Sequence, residues 1–318
     1  MAKEIRNITI MGAGTMGHSL AQVFAQSGYT VWLNDINETI LSKAKSLITS
    51  NLKTLVELGV FPEKEMAPAL GRIRTTARIE EAGRETDFVI EAIVEDVAAK
   101  KEVFRTLDMV CPARTILASN TSYLDIFKFV ETRRPDKVLI THWFAPPHIV
   151  PLVEIVLGPQ TSQETAQVIK DLMMKVGKKP IVISKFLPGF IANRLQSALS
   201  REVLFLLDNG YATPEDIDEA TKTSFGLRMP IVGLVKRMDF AGLDLSQKVL
   251  RNRQYEPPQG MDRSPSIDRL VSQGRLGVKT GSGFYEYEGR STEEIMRERD
   301  IKLIKLREFL KNLGEMPQ

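Results

Sequence analysis

The segment Ile8-Thr9-Ile10-Met11-Gly12-Ala13-Gly14-Thr15-Met16-Gly17 carries a short β-branched run into the spacing G-x-G-x-x-G. Alone, that glycine spacing is a weak signal. Here it follows a strand-like run, opens the helix-period segment Ser19–Ser27, and stands eighteen residues before Asp35, at the end of the next strand-like run, Thr30–Asn34. That is the context a dinucleotide site requires. Gly12 permits the tight turn, Gly14 lets the backbone approach a pyrophosphate, and Gly17 lets helix and strand pack closely. The unpaired amides of the helix start, from Gly14 through Thr15, Met16 and Gly17, face the phosphates with the positive end of the helix dipole. Asp35 is placed to accept from adenosine ribose hydroxyls. A 2′-phosphate would meet its carboxylate, and Ile36-Asn37-Glu38 offers no arginine, so NAD is expected rather than NADP. The plain alternative is a glycine-rich turn without a ligand. His18 is expected to pack at the helix start.

Outward from this segment the first half alternates apolar runs with helical stretches. Strands are predicted at Ile8–Met11, Thr30–Asn34, Phe88–Glu91, Thr115–Ala118, Val138–Thr141, Leu152–Leu157 and Pro180–Ser184. Helices are predicted at Glu38–Leu58, Ala98–Met109 and Ser162–Val176. Nearly all-apolar strands alternating with helices argue for a mostly parallel, doubly wound sheet covered on both faces, a Rossmann-like α/β domain. After Lys185 the texture changes. Leu187-Pro188-Gly189 breaks the chain, a long helix is predicted from Phe190 to Asn209 with Gly210 beyond its end, and Thr213-Pro214 reads as an N-cap with proline at the first helical position. Residues Arg251 to Pro265 read as a loop and Thr292–Asn312 as a charged amphipathic helix. The expected division is an NAD-binding domain over 1–184 and an all-helical domain over 185–318.

The 318 residues are ample for two domains, and 43% hydrophobic content supports real cores. With 43 basic against 40 acidic residues, no basic face marks a nucleic-acid partner. Cys111 is the only cysteine, which excludes an intramolecular disulfide, makes a cysteine-based metal site untenable, and suggests a small buried hydrophobe rather than a nucleophile. No apolar run reaches membrane-spanning length. No signal peptide is read at Met1-Ala2-Lys3-Glu4-Ile5, and a soluble cytoplasmic protein with neither metal nor membrane partner is expected.

Three histidines are present, His18, His142 and His148. His142 ends the run Val138–Thr141, and ligands in parallel sheets sit at the carboxyl ends of strands. Glu154 is the single charge within Leu152–Leu157, where a carboxylate is costly unless paired. The twelve-residue spacing, with Pro146-Pro147 between, lets the chain turn and set Glu154 behind His142. A histidine oriented by a buried carboxylate is a good general base near neutral pH. Local sequence leaves a second reading open, a structural histidine with a solvent-facing glutamate on an edge strand.

These residues resemble the L-3-hydroxyacyl-CoA dehydrogenase family over nearly the whole chain. Gly12–Gly17 with Asp35 looks like its NAD fingerprint, and Glu91-Ala92-Ile93-Val94-Glu95 followed by Lys100 looks like the segment whose acid and lysine touch NAD. Ala118-Ser119-Asn120-Thr121-Ser122 is similar to the family's Ser-Asn-Thr-Ser motif. The resemblance implies that Asn120 lies by the cofactor and that Ser122 contacts the reacting oxygen. His142 and Glu154 match the catalytic pair at the family spacing, and Pro188-Gly189-Phe190-Ile191-Ala192-Asn193-Arg194 resembles P-G-F-x-x-N-R, which implies an active-site role for Asn193. Asp239–Asp244 and Leu276–Tyr285 match two C-terminal motifs. The resemblance further implies oxidation of a secondary hydroxyl, a place in fatty-acid metabolism, and a helical second domain that closes over the cleft and forms a homodimer.

Three departures bear on the substrate. Ala145 stands where the family has an asparagine in His-x-x-Asn-Pro, Gly233-Leu234-Val235-Lys236 replaces Gly-Pro-Phe-Glu, and Leu52–Phe61 is poor in lysine. In these the chain looks more like short relatives acting on gulonate, carnitine or a pyridoxal breakdown product. The expected substrate is an L-3-hydroxyacyl-CoA, with a small hydroxy acid free of CoA as the alternative. A crystallin-like protein that keeps NAD without turnover is the non-enzymatic rival. A lysine-catalysed dehydrogenase is disfavoured because Phe190–Asn209 contains no lysine.

Overall fold

The computed structural model describes residues 5–252, 255–260, 262–287 and 289–314, in two compact units, Met1–Asn193 and Arg194–Gln318. The first is built on eight strands: β1 (Asn7–Met11), β2 (Thr30–Asn34), β3 (Ile73–Thr76), β4 (Phe88–Glu91), β5 (Ile116–Ser119), β6 (Val138–Trp143), β7 (Leu152–Leu157) and β8 (Lys179–Ile183). Their order is β3-β2-β1-β4-β5-β6-β7-β8, and every neighbouring pair is parallel except β6 with β7. The chain therefore winds one way from β1 to β3 and the other way from β4 onward. The crevice between the carboxyl ends of β1 and β4, where Met11 lies beside Glu91, is the topological switch point at which such sheets bind ligands.

Alternation along the strands makes two cores. Ile8, Ile10, Val31, Leu33, Phe88 and Ile90 pack on one side, with helices α1 (Gly17–Gln26) and α2 (Glu38–Glu57). Val89, Leu117, Val138, Ile140 and Val156 pack on the other. The helices α3 (Met66–Gly71) and α4 (Ile79–Gly83) are short; α5 (Val97–Val110) supplies Phe104 and Leu107 to the second core, and α6 (Gln163–Lys175) supplies Ile169 and Met173 to the first. Side-chain caps start three of them: Asn37 accepts from Thr39 and Ile40, Asp96 from Ala99, and Ser162 from Thr165. The sheet has one strand more than the sequence reading predicts. β3 is a four-residue edge strand in which only Ile73 and Thr76 are buried, so it carries no apolar run.

Beyond the sheet come α7 (Ala192–Asp208), α8 (Pro214–Thr223), α9 (Phe225–Val232), α10 (Leu234–Ala241), α11 (Leu243–Asn252), α12 (Pro265–Ser272) and α13 (Thr292–Leu313). The described part of the second unit otherwise holds one 3-10 turn (Val278–Thr280), isolated β-bridges and irregular chain. Gly210 has φ +67° just past α7, and Thr213 forms a full capping box with Asp216, with Pro214 at the first helical position. The loop expected over Arg251–Pro265 is shorter at both ends, since α11 runs to Asn252 and α12 begins at Pro265; residues 253, 254 and 261 lie outside the described residues. No described helix is long and apolar enough to cross a membrane.

Candidate active site

The glycine loop at the head of α1 has the stereochemistry its spacing predicts. Gly12 has φ +94°, and a Cβ there would lie 2.6 Å from the Ala92 carbonyl oxygen. A Cβ on Gly17 would collide with the Gly12 carbonyl, whereas at Gly14 it would meet nothing within 4 Å. Two glycines thus close the loop against β4 and against itself, and the third leaves open space beside the helix start. Helix α1 has no side-chain cap and no acidic residue in its first turn, so an incoming anion would have no capping side chain to displace. Thr15 is exposed and Met16 half-buried in this turn. Asp35 follows β2 and accepts from the backbone amides of Ala13 at 2.9 Å and Asn37 at 3.1 Å, which fixes its carboxylate beside the loop. Ile36 beside it is exposed. An anionic dinucleotide fits this donor set. Burial pushes the His18 imidazole down, opposed by its hydrogen bond with the Gly14 carbonyl.

A buried ionic network lies at the end of β4. Lys100 on α5 is 1% exposed, and its ammonium sits 2.7 Å from Glu91 and 3.2 Å from Glu95. Ser119 donates to Glu91 at 2.6 Å. Glu95 in turn accepts from the Thr121 hydroxyl at 2.5 Å and the Ser122 amide at 3.0 Å. Burial works against the Glu95 charge, but the hydrogen bonds from Thr121 and Ser122 and the Lys100 charge outweigh it, holding this carboxyl below the usual range. Of the residues that the resemblance places against NAD, Lys100 is therefore committed to two carboxylates, and Glu95 anchors the loop carrying Ser122. The Asn120 side-chain oxygen accepts from the Trp143 amide at 2.9 Å and ties the end of β5 to β6.

The dyad follows from strand register. His142 and Glu154 are direct cross-strand partners in the β6–β7 antiparallel pair, on the face that carries Ile140 and Val156. Their Nδ1 and Oε2 are 2.7 Å apart. The other Glu154 oxygen accepts from the amides of Ile191 and Ala192, each at 3.0 Å, where the chain enters α7. Burial opposes the Glu154 charge, and the bonds from His142, Ala192 and Ile191 overcome it, so its carboxyl titrates below the usual range. A carboxylate only accepts, so Nδ1 must carry the proton, and in the neutral ring Nε2 is then an acceptor. Ser122 Oγ lies 3.1 Å from that Nε2. The structure thus brings Ser122, His142 and Glu154 into one chain of hydrogen bonds. Asn193 stands one residue beyond Ala192 in α7, half-buried.

Phe144 is not singled out by the sequence, and Phe190 enters only as a letter of the P-G-F-x-x-N-R resemblance with no role; their ring centroids lie 4.6 and 5.1 Å from that of His142. Apolar residues next to a strand end and a turn carry no signal that separates them from ordinary core. His148 is bonded to Ser19 of α1 at 2.7 Å, away from the dyad. Cys111 is buried, and burial pushes its thiol up to about 12, so it is not poised as a nucleophile. Among the described residues no cluster of three or more histidine, cysteine, aspartate or glutamate side chains is arranged to hold a metal.

Models of the 3-hydroxyacyl-CoA dehydrogenase NAD binding domain and C-terminal domain match residues 7–186 and 189–287. The 5-formyl-3-hydroxy-2-methylpyridine 4-carboxylate 5-dehydrogenase of Mesorhizobium japonicum is 33% identical, covering 96% of this chain and 98% of that protein. A probable 3-hydroxybutyryl-CoA dehydrogenase of Bacillus subtilis is 36% identical, covering 91% and 100%. A solved structure of the pyridine-carboxylate enzyme, described as an NAD+-dependent dismutase, superposes with a TM-score of 0.88 at 32% identity, covering 98% of this chain and all of the other.

Proposed function

We propose that this chain, which belongs to the 3-hydroxyacyl-CoA dehydrogenase family, oxidises a secondary hydroxyl to a ketone, with His142 as the general base. The Ser122–His142–Glu154 hydrogen-bond chain carries this reading. NAD, when bound, supplies the hydride acceptor. His142 Nε2 takes the hydroxyl proton as the carbinol hydride leaves, giving ketone and imidazolium. Glu154 stabilises that imidazolium and keeps the ring in the accepting tautomer. Ser122 and Asn193 orient the reacting oxygen, and orientation accounts for much of the rate in such a step. Gly12, Gly14, Thr15, Met16 and Gly17 would hold the pyrophosphate and Asp35 the ribose. Glu95, Lys100 and Asn120 would border the bound cofactor by fixing the loop after β5.

The substrate class favoured by the family is an L-3-hydroxyacyl-CoA. A second reading, a small hydroxylated acid without CoA, rests on two observations: Ala145 in place of the family asparagine, and the full-length likeness to a pyridine-carboxylate dehydrogenase. The family's C-terminal model ends at residue 287, short of α13. NADH absorbance with L-3-hydroxybutyryl-CoA against free 3-hydroxybutyrate, gulonate, carnitine and hydroxylated pyridine carboxylates separates the two. Turnover of a free acid with none on any hydroxyacyl-CoA overturns the first, and no turnover on any substrate favours a non-catalytic NAD-binding protein.

The protein is further proposed to act as a homodimer. Helices α9, α10 and α11 contain no buried residue, and Leu227, Val235, Phe240, Leu243 and Leu250 on them are largely exposed. A stretch of exposed large apolar residues this dense is unusual for a monomer. Sedimentation of a single-chain species at micromolar concentration would contradict it.

A further inference from the structure

We propose that Phe190 is a positioning residue for the His142–Glu154 pair, setting Glu154 through its left-handed backbone and His142 through its ring. The inference rests on the reading of His142 as the base. Among the described non-glycine residues Phe190 alone has a positive φ, +49°, a region that bulky side chains rarely enter. It is fully buried. Such a conformation persists only where the surroundings over-determine it, and it concentrates at functional sites. The preceding turn prepares it: Pro188 is at the second position, Gly189 at the third has φ +76°, and the Phe190 amide donates to the Leu187 carbonyl at 2.9 Å.

The left-handed step re-aims the chain, so that the next two amides, Ile191 and Ala192, converge on one oxygen of Glu154. The ring then lies against His142, and Phe186 packs edge-on behind it at 5.9 Å. With Phe144 also against the imidazole, His142 has two aromatic neighbours and a carboxylate on Nδ1. A phenylalanine serving only to fill the core would need neither the strained backbone nor the converging amides. This one residue joins both members of the dyad to the entry of α7.

The test uses the full chain labelled with 15N-histidine, which gives only three imidazoles, His18, His142 and His148. In Phe190→Ala we expect the Nδ1–H signal of His142 to shift or broaden while those of His18 and His148 stay in place. We also expect kcat to fall by roughly tenfold or more, the scale of misplaced reacting groups, with an unchanged KM for NAD+. Phe190→Leu, which restores apolar bulk without the ring, should recover folding stability but only part of the His142 signal and of kcat; full recovery of both by leucine would reduce Phe190 to core filling and overturn the ring's role. Phe190→Gly, which accepts a positive φ without strain, keeps the turn but lacks the ring, and it carries the same readout should the alanine variant not fold. A folded alanine or glycine variant with a wild-type His142 signal or a wild-type kcat overturns the proposal. His142→Ala tests the underlying reading separately: if that variant stays active, the base is elsewhere whatever Phe190 does.

Discussion

Replacing Glu154 by glutamine probes the dyad more sharply than deleting it. The carboxylate has three partners: His142 Nδ1 at 2.7 Å on one oxygen, and the amides of Ile191 and Ala192 at 3.0 Å on the other. Glutamine fits the same volume, and its one oxygen is favoured to face the two backbone donors, because turning its NH2 toward them would leave two half-buried amides without their acceptor, at up to about 1–3 kcal/mol each. The NH2 group is then aimed at His142 Nδ1. Nδ1 must become the acceptor, and the ring is driven into the tautomer whose Nε2 carries the proton. That nitrogen can no longer take a substrate proton, and no neighbouring charge stabilises imidazolium. The loss should lie between about a hundredfold, the low end for removing a general base, and about ten-thousandfold, the scale of a wrong tautomer behind a catalytic histidine. At 1.36 kcal/mol per tenfold this is roughly 2.7 to 5.4 kcal/mol of barrier. Glu154→Ala leaves the amides without their acceptor and should lose stability as well, whereas the glutamine variant should unfold near the wild-type temperature. The assay is initial-rate NADH absorbance at saturating NAD+ and substrate, paired with thermal unfolding. A folded glutamine variant that keeps more than half of wild-type turnover would show that Glu154 does not set the His142 tautomer.

Three further outcomes follow from the same structure. Asp35→Ser combined with Ile36→Arg should shift the kcat/KM ratio toward NADP+; equal efficiency of the wild type with the two cofactors contradicts the role given to Asp35. Cys111 should resist a thiol reagent at mildly alkaline pH and react fully in denaturant, because its thiol is buried and raised to about 12; rapid labelling of the folded chain would refute this. Glu95, Glu154 and Asp108 all titrate below their usual range in the folded chain, because hydrogen bonds and nearby cations outweigh burial. Their stabilisation is then present above the unfolded-state values and lost as pH falls through the folded ones, so the urea midpoint should decline below about pH 5; a midpoint that stays flat to about pH 3 contradicts that sign.

Much of the sheet and the dyad was legible because both are written in local pattern. Apolar four- to six-residue runs mark the central strands, and a glutamate inside Leu152–Leu157 has to find a partner. The register that places it opposite His142 follows from an antiparallel return at the prolines, which spacing permits and only the fold fixes. β3 escaped because an edge strand buries two residues of four. Lys100 escaped in another way: the residue was recognised, but its burial between Glu91 and Glu95 depends on α5 packing back across the end of β4, a long-range arrangement without local signature. Phe190 stands in the P-G-F-x-x-N-R resemblance, but its positive φ is not encoded in its own residue type; the Pro188-Gly189 turn before it is the physical hint in the sequence.

The claim that His142 is the base of an NAD-dependent dehydrogenase is tested most directly by comparing His142→Ala with wild type on a turned-over substrate, with NADH affinity measured in parallel by fluorescence. Turnover should fall by at least about a hundredfold, with NADH affinity within about twofold of wild type, since a factor of two is under about 0.5 kcal/mol. A His142→Ala variant that binds NADH and keeps most of its turnover would contradict it.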